Sequence, residues 1–144
     1  MSDSLQRVLC NMQGRLFEES ADLNYDSISF IEAFMKSDIA LDLDSTFNFM
    51  QWAGKEYILE RMQDELKDKL KKSNNIYDIY NKDVLYWIGY VYRYWHYYKN
   101  ETSKEIYKQA PVKTMLAVYY SYHTLSVELA IERLKDTYID KKRK

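Results

Sequence analysis

Residues 83–98 read DVLYWIGYVYRYWHYY. The stretch holds two of the three tryptophans, six of the fifteen tyrosines and one of the three glycines. Read as a helix, it has few polar residues to show to water. It is therefore either a central core helix or a helix with one side against a partner. At about 100° per residue, Val84, Trp87, Ile88, Val91, Trp95 and Tyr98 share one arc, which is the predicted core face. The other side carries Tyr86, Gly89, Tyr90, Arg93, His96 and Tyr97. A glycine inside a helix costs roughly 1 kcal/mol relative to alanine, so Gly89 points to close approach by another backbone or a ligand. Two readings of Arg93 stand. It pairs with a carboxylate from another helix, with Gly89 admitting that neighbour, or its tyrosine-flanked guanidinium faces a partner or ligand. His96 is either a hydrogen-bonded structural residue or part of the same contact face.

The surrounding chain reads as all-α. Three glycines and one proline in 144 residues argue for helices with short connections and against a phosphate-cradling loop. Leu5, Val8, Leu9, Met12 and Leu16 recur at helical spacing, predicting a helix over residues 3–19. Asp26 or Ser27 caps a second helix, and Ser37-Asp38 restarts a short one through Leu43. Asp44-Ser45 reads as a further cap, ahead of a long helix from Thr46 past Leu70. Its charges at four-residue spacing (Arg61–Glu65, Glu65–Lys69, Asp68–Lys72) describe a solvated face. Residues 76–83, IYDIYNKD, read as a turn or a short helix, with Asn81 or Asp83 capping the aromatic helix. Thr102 to Glu105 has capping-box spacing. Pro111 suits the first turn of the next helix, and Ser126 caps the last. The expectation is a single compact helical domain over residues 1–144, with six to eight helices around the aromatic one. The basic end, residues 139–144, is predicted to fray.

Composition narrows the chemistry. A formal net charge of −1 gives no global field toward nucleic acid or anionic lipid, so nucleic acid is not an expected partner. The longest largely apolar run, Val84 to Tyr92, is too short to span a bilayer, and the N-terminal residues do not read as a signal peptide. A soluble, cytoplasmic protein is the expectation. Cys10 is the lone cysteine and sits on an apolar face, so a buried thiol is expected. Two histidines and one cysteine give no metal-ligand spacing. Asp38, Asp42 and Asp44 lack the remainder of a calcium loop and read as helix-capping and N-terminal charges. No cofactor or metal is expected. A ribonuclease of the HEPN type places an arginine and a histidine four to six residues apart. Here Arg93 and His96 have two residues between them, and His123 has no arginine at that distance upstream.

The stretches FIEAFMKSDIALDLDSTFNFMQWAGKEYILE, DVLYWIGYVYRYWHYYKNETSKEIYKQAP and HTLSVELAIERL together resemble a family of small uncharacterised proteins of low-GC Gram-positive bacteria. The likeness covers most of residues 25–135. Tyr90, Arg93, Tyr94, Trp95, His96, Ser103, Lys104, Glu105, Tyr107, Lys108 and Gln109 belong to its pattern. Ser126-Val127 departs from it, where an acidic residue and then proline are expected, and Tyr122 stands for a phenylalanine. The resemblance implies a member of a toxin–antitoxin-type cassette that includes an ADP-ribosyltransferase-like protein. The expected function is therefore a non-enzymatic protein-binding module, an antitoxin or regulatory subunit of a toxin–antitoxin or phage-defence cassette. Its partner would be a protein, such as a toxin encoded nearby, and self-association stays open. The predicted contact residues are Tyr86, Tyr90, Arg93, His96 and Tyr97, with Lys104 and Lys108 nearby. The alternatives are a nucleotide- or RNA-acting enzyme using Arg93 and His96, in the manner of a degenerate HEPN protein, and a phage-encoded inhibitor of a defence nuclease.

Overall fold

The computed structural model describes residues 3–45, 53–73 and 80–143. Among them are eight helices and no strand: α1 (Asp3–Asp22), α2 (Ser27–Met35), α3 (Asp38–Asp44), α4 (Gly54–Glu65), α5 (Lys82–Lys99), α6 (Ser103–Gln109), α7 (Val112–Tyr122) and α8 (Val127–Arg143). The aromatic stretch is α5, and the other helices pack around it. Its partners include α1, α6, α7 and α8, with α1 making by far the longest contact.

The helix ends follow local chemistry. Asp26 accepts the Ser29 N–H and caps α2, and Ser37 accepts the Ala40 N–H and caps α3. Asn81 accepts the Asp83 N–H at the head of α5, and Asn100 closes it in the left-handed conformation at φ 55°. Thr102 and Glu105 form a reciprocal capping box on α6, and Ser126 Oγ accepts the Leu129 N–H at the start of α8. Pro111 stands one position earlier than its predicted place, as the residue flanking α7.

Two predicted boundaries move. The long helix from Thr46 begins outside the described residues, and within them α4 ends at Glu65. The chain beyond it is diverted to the connection between α1 and α2. There the Asp26 N–H donates to the Lys71 carbonyl at 2.7 Å and the Ser73 N–H to the Asn24 carbonyl at 2.7 Å. Lys72 Nζ lies 4.1 Å from the centre of the Tyr25 ring. Of the three predicted charge pairs only Arg61–Glu65 forms as an ion pair, and Arg61 also reaches Asp42 at 3.1 Å. The second is at the C-terminus, where α8 continues through Arg143, into the stretch expected to fray. Lys141, Lys142 and Arg143 fall in its last turn, where the helix dipole favours cations. Of residues 76–83, the first four lie outside the described residues.

The crossing of α1 over α5 is close enough to need glycine on both helices. A Cβ on Gly89 would sit 2.6 Å from the Gln13 carbonyl oxygen and 2.8 Å from the Gly14 Cα. A Cβ on Gly14 would meet the Tyr86 ring at 2.6 Å. These contacts explain the mid-helix glycine that the sequence singles out. Around the crossing, Leu9, Leu16, Phe17, Leu85, Ile88 and Tyr92 are buried, and Phe17 packs edge-on to both Phe34 and Tyr92. Cys10 is also buried, and burial pushes its thiol up to about 12.

Gly89→Ala should therefore destabilise the protein by about 2 kcal/mol, because overpacking at fixed backbone outweighs the roughly 1 kcal/mol that alanine gains in helix propensity. Urea denaturation checks this. An unchanged or raised midpoint would show that the two helices do not approach as described.

Candidate functional site

The predicted contact residues do not form one surface. Arg93 is fully buried, which corrects its assignment to a partner-facing position. Its Nε donates to Gln13 Oε1 at 2.8 Å, one terminal nitrogen to Asp44 Oδ1 at 2.6 Å, and the other to Ser103 Oγ at 3.3 Å. Each partner is held in turn. Gln13 Nε2 donates to the Gly89 carbonyl at 3.1 Å, and Asp44 accepts from the Ser103 N–H at 2.8 Å and the Ser103 hydroxyl at 2.9 Å. The helix start that Asp44-Ser45 is predicted to cap lies outside the described residues. Asp44 closes α3 and serves the first turn of α6, and its carboxylate neutralises a guanidinium on α5. The first of the two readings of Arg93, an ion pair admitted by a glycine contact, is the one realised.

His96 is half-buried beside this cluster. Its Nδ1 lies 2.6 Å from the Glu101 carbonyl oxygen, an acceptor, so Nδ1 carries the proton. The same atom stands 3.7 Å from Asp44 Oδ1. Tyr97 packs its ring against His96 at 4.9 Å, and its hydroxyl is buried with no hydrogen-bond partner among the described residues. Burial, only partly offset by the nearby Arg93 charge, pushes that phenol up to about 12.

The open side of α5 lies elsewhere. Leu85, Ile88, Gly89, Val91, Tyr92, Arg93 and Trp95 are buried and occupy a little more than half of the helix circumference. Beyond Asp83 in the first turn, the remaining arc is aromatic: Tyr86, Trp87, Tyr90, Tyr94, Tyr97 and Tyr98. Within it, Tyr86, Tyr90, Tyr94 and Tyr98 follow one another at four-residue spacing. Successive ring centroids lie 6.0, 6.3 and 6.3 Å apart. Tyr98, expected in the core, is 41% exposed at one end of the row. Of the predicted core arc, Ile88, Val91 and Trp95 are buried and Val84 and Trp87 are half-buried against the core, which leaves Tyr98 as the exception.

The row runs along a groove between α1 on one side and α7 with α8 on the other. Tyr86 donates to Asn11 Oδ1 of α1 at 2.6 Å, and the Arg15 guanidinium lies 4.9 Å from its ring centre. Tyr94 donates a short hydrogen bond to Glu128 of α8. Lys99 Nζ lies 4.8 Å from the Tyr98 ring centre, so a cation flanks each end of the row. Two depressions open along it. One, of about 310 Å³, is lined by Asp83, Tyr86, Trp87, Tyr90, Tyr119 and His123. The other, of about 240 Å³, is lined by Gln6, Arg7, Cys10, Tyr94, Tyr97 and Tyr98. His123 stacks on Tyr119 at 4.5 Å, and Tyr120 beside it is 86% exposed.

Lys104 and Lys108 are exposed, but on a different face. The residue between them, Tyr107, packs on Tyr92, which projects from α5 about half a turn away from the tyrosine row. The expected surface is thereby divided. Tyr86 and Tyr90 belong to the row, Arg93 to the interior, His96 and Tyr97 to the margin of the buried cluster, and the two lysines to another side. Sequence reasoning missed Tyr94, Tyr98, Trp87, Tyr119 and His123. The recurrence of tyrosine every fourth residue was the available signal for the first two.

The arrangement offers stacking faces, phenol hydroxyls and flanking cations. Among the described residues there is no group of three or more His, Cys, Asp or Glu placed to hold a metal ion, and no helix long and apolar enough to cross a membrane. No protein-family model matches the chain, and no curated protein or solved structure is significantly similar to it.

Replacing Arg93 by alanine should cost about 3–5 kcal/mol, because it leaves the Asp44 carboxylate buried without its counter-charge. Chemical denaturation measures the loss, and a variant as stable as the parent would show that the guanidinium is not structural. A second expectation concerns alkali. Tyr94, through its hydrogen bond to Glu128, and Tyr97, through burial, are both raised to about 12. Between the ordinary tyrosine value near 10 and that point, the native state holds protons that the unfolded chain has released. Stability should therefore fall as pH rises across this window. Tyrosinate absorbance should show a subset of phenols ionising only near its upper end. Titration of every tyrosine as one group near the ordinary value would contradict the described environments.

Proposed function

We propose that this chain is a non-enzymatic protein-binding module that receives a partner along the tyrosine row of α5. The observation that carries the reading is the row of four tyrosines along the open arc of a helix otherwise enclosed by its own domain. Tyrosine presents a large, rigid, amphipathic ring with few rotatable bonds, and tyrosine and arginine are among the residue types that most often dominate interface energy. The row is also held in place before any partner arrives. Tyr86 is fixed by Asn11, Tyr94 by Glu128, and each ring by its neighbour four residues away. Preformed side chains lose less conformational freedom on binding.

The family resemblance supports a more specific assignment, to an antitoxin or regulatory subunit of a toxin–antitoxin or phage-defence cassette, with the partner encoded alongside. A role for Arg93 in holding a substrate phosphate finds no support in its geometry, since its nitrogens are engaged by Gln13, Asp44 and Ser103 inside the domain.

Co-expression with the products of the neighbouring genes tests the reading. One of them should co-purify in a single stable complex. Tyr90→Ala and Tyr98→Ala should each weaken that complex by about 2 kcal/mol, with helix content unchanged. If no neighbouring product binds, the cassette assignment fails. If one binds and both alanine variants bind as tightly as the parent, the tyrosine row is not the interface.

A further inference from the structure

The near-neutral charge of the whole chain conceals a local excess. Where α2, α6 and α7 meet, a depression of about 810 Å³ is rimmed by Lys36, Lys104, Lys108 and Lys113, with Glu32 as the one acidic residue in its lining. Its apolar lining is Ile28, Tyr107, Pro111 and Val112. Four lysines against one glutamate leave three positive charges in excess. Only Lys36 is neutralised, by Glu32 at 2.7 Å. Lys104, Lys108 and Lys113 have no ion-pair partner among the described residues. The nearby carboxylate on α6, Glu105, is turned away to the Thr102 N–H and hydroxyl in the capping box.

We infer that this lysine-rimmed depression is a second docking surface, built for an acidic amphipathic segment of a partner protein. It extends the binding-module reading by naming a partner chemistry at a site separate from the tyrosine row. Three features favour this occupant. Unpaired like charges held close together repel, and an incoming run of carboxylates relieves that repulsion. Ile28 and Pro111, the apolar lining residues that keep exposed surface, would meet the hydrophobic side chains of a helix whose acidic flank meets the lysines, the helix-in-groove mode. Lysine heads are mobile point charges on apolar stems, so they adapt to carboxylates at several positions and also extend the apolar surface. A nucleic-acid strand fits less well. Its bases need an open aromatic face, whereas Tyr107 is 7% exposed and Lys36 Nζ lies 5.6 Å from its ring centre.

The test is a titration of the ¹⁵N-labelled full chain with a synthetic amphipathic peptide bearing Leu and Phe on one helical face and Glu on the other. Amide shifts should saturate and cluster at Lys36 and along residues 104–113. Lys104→Glu combined with Lys108→Glu, both exposed and outside the core, should weaken binding by about tenfold while the rest of the spectrum persists. Tyr90→Ala should leave the titration unchanged, which separates this surface from the tyrosine row. Absence of saturable shifts, equal binding of a peptide with Lys in place of Glu, or equal binding by the charge-reversed variant would each overturn the proposal. A single-stranded oligonucleotide binding the same residues more tightly than the peptide would also overturn it, in favour of nucleic acid.

Discussion

The guanidinium of Arg93 is the point at which four helices meet. It sits on α5, takes its acceptors from Gln13 on α1, Asp44 at the end of α3 and Ser103 at the start of α6, and has no exposed surface. A charge without water is tolerable only when paired and fully hydrogen-bonded, and here every partner is itself anchored. Gln13 is held by the Gly89 carbonyl, and Asp44 is held by the backbone and hydroxyl of Ser103. This geometry needs α1 to lie close on α5, which is what Gly14 and Gly89 allow. The glycine pair and the buried ion pair are therefore one device. Widening the crossing would lengthen the bond from Arg93 to Gln13, and losing Arg93 would leave Asp44 buried and unpaired.

A second polar knot ties the far end of α5 to the last helix. Glu101 accepts from Trp95 Nε1 at 2.7 Å, from Lys135 at 2.8 Å and from Gln109 at 2.9 Å. Burial pushes its carboxyl up, but donation from these three outweighs that, and the net shift is downward. Both knots grip the C-terminal half of α5, and Tyr92, next to Arg93 in sequence, donates to the Ala110 carbonyl at 2.5 Å. What remains uncovered is the arc between α1 and α7 with α8.

The parts of this design that were legible in the sequence are the local ones. Thr102–Glu105, Asp26 and Ser126 announce helix starts because a cap and the groups it satisfies lie within three residues. The helical class, the central place of residues 83–98 and the buried Cys10 followed from spacing and composition. The role of Asp44 as the partner of Arg93 was hidden for the same reason that the caps were legible. An Asp-Ser pair ahead of a helical run looks locally like an N-cap, whereas its partner Arg93 is 49 residues away and nothing in the sequence pairs the two. The end of α4 was missed because residues 66–73 answer to the connection between α1 and α2, a distant competitor that outweighs helix propensity. The tyrosine row was obscured by sorting α5 into an apolar and a polar arc. Tyrosine belongs to both classes, so that division sent Tyr86 and Tyr90 one way and Tyr98 the other.

The same physics links the buried cluster to the candidate surface. An aromatic row on a loosely packed helix would collapse inward, since each ring gains from leaving water. On α5 the inward positions are already filled by Trp95, Tyr92, Ile88 and the Arg93 cluster, and backbone contact at Gly89 fixes the rotation of the helix against α1. Turning the tyrosines inward would require turning Arg93 outward, which breaks its ion pair with Asp44 and exposes the core residues beside it. The buried charge thereby sets which side of the helix faces solvent. A core built around a single guanidinium specifies orientation as well as stability, and the orientation it specifies leaves the tyrosines as the surface.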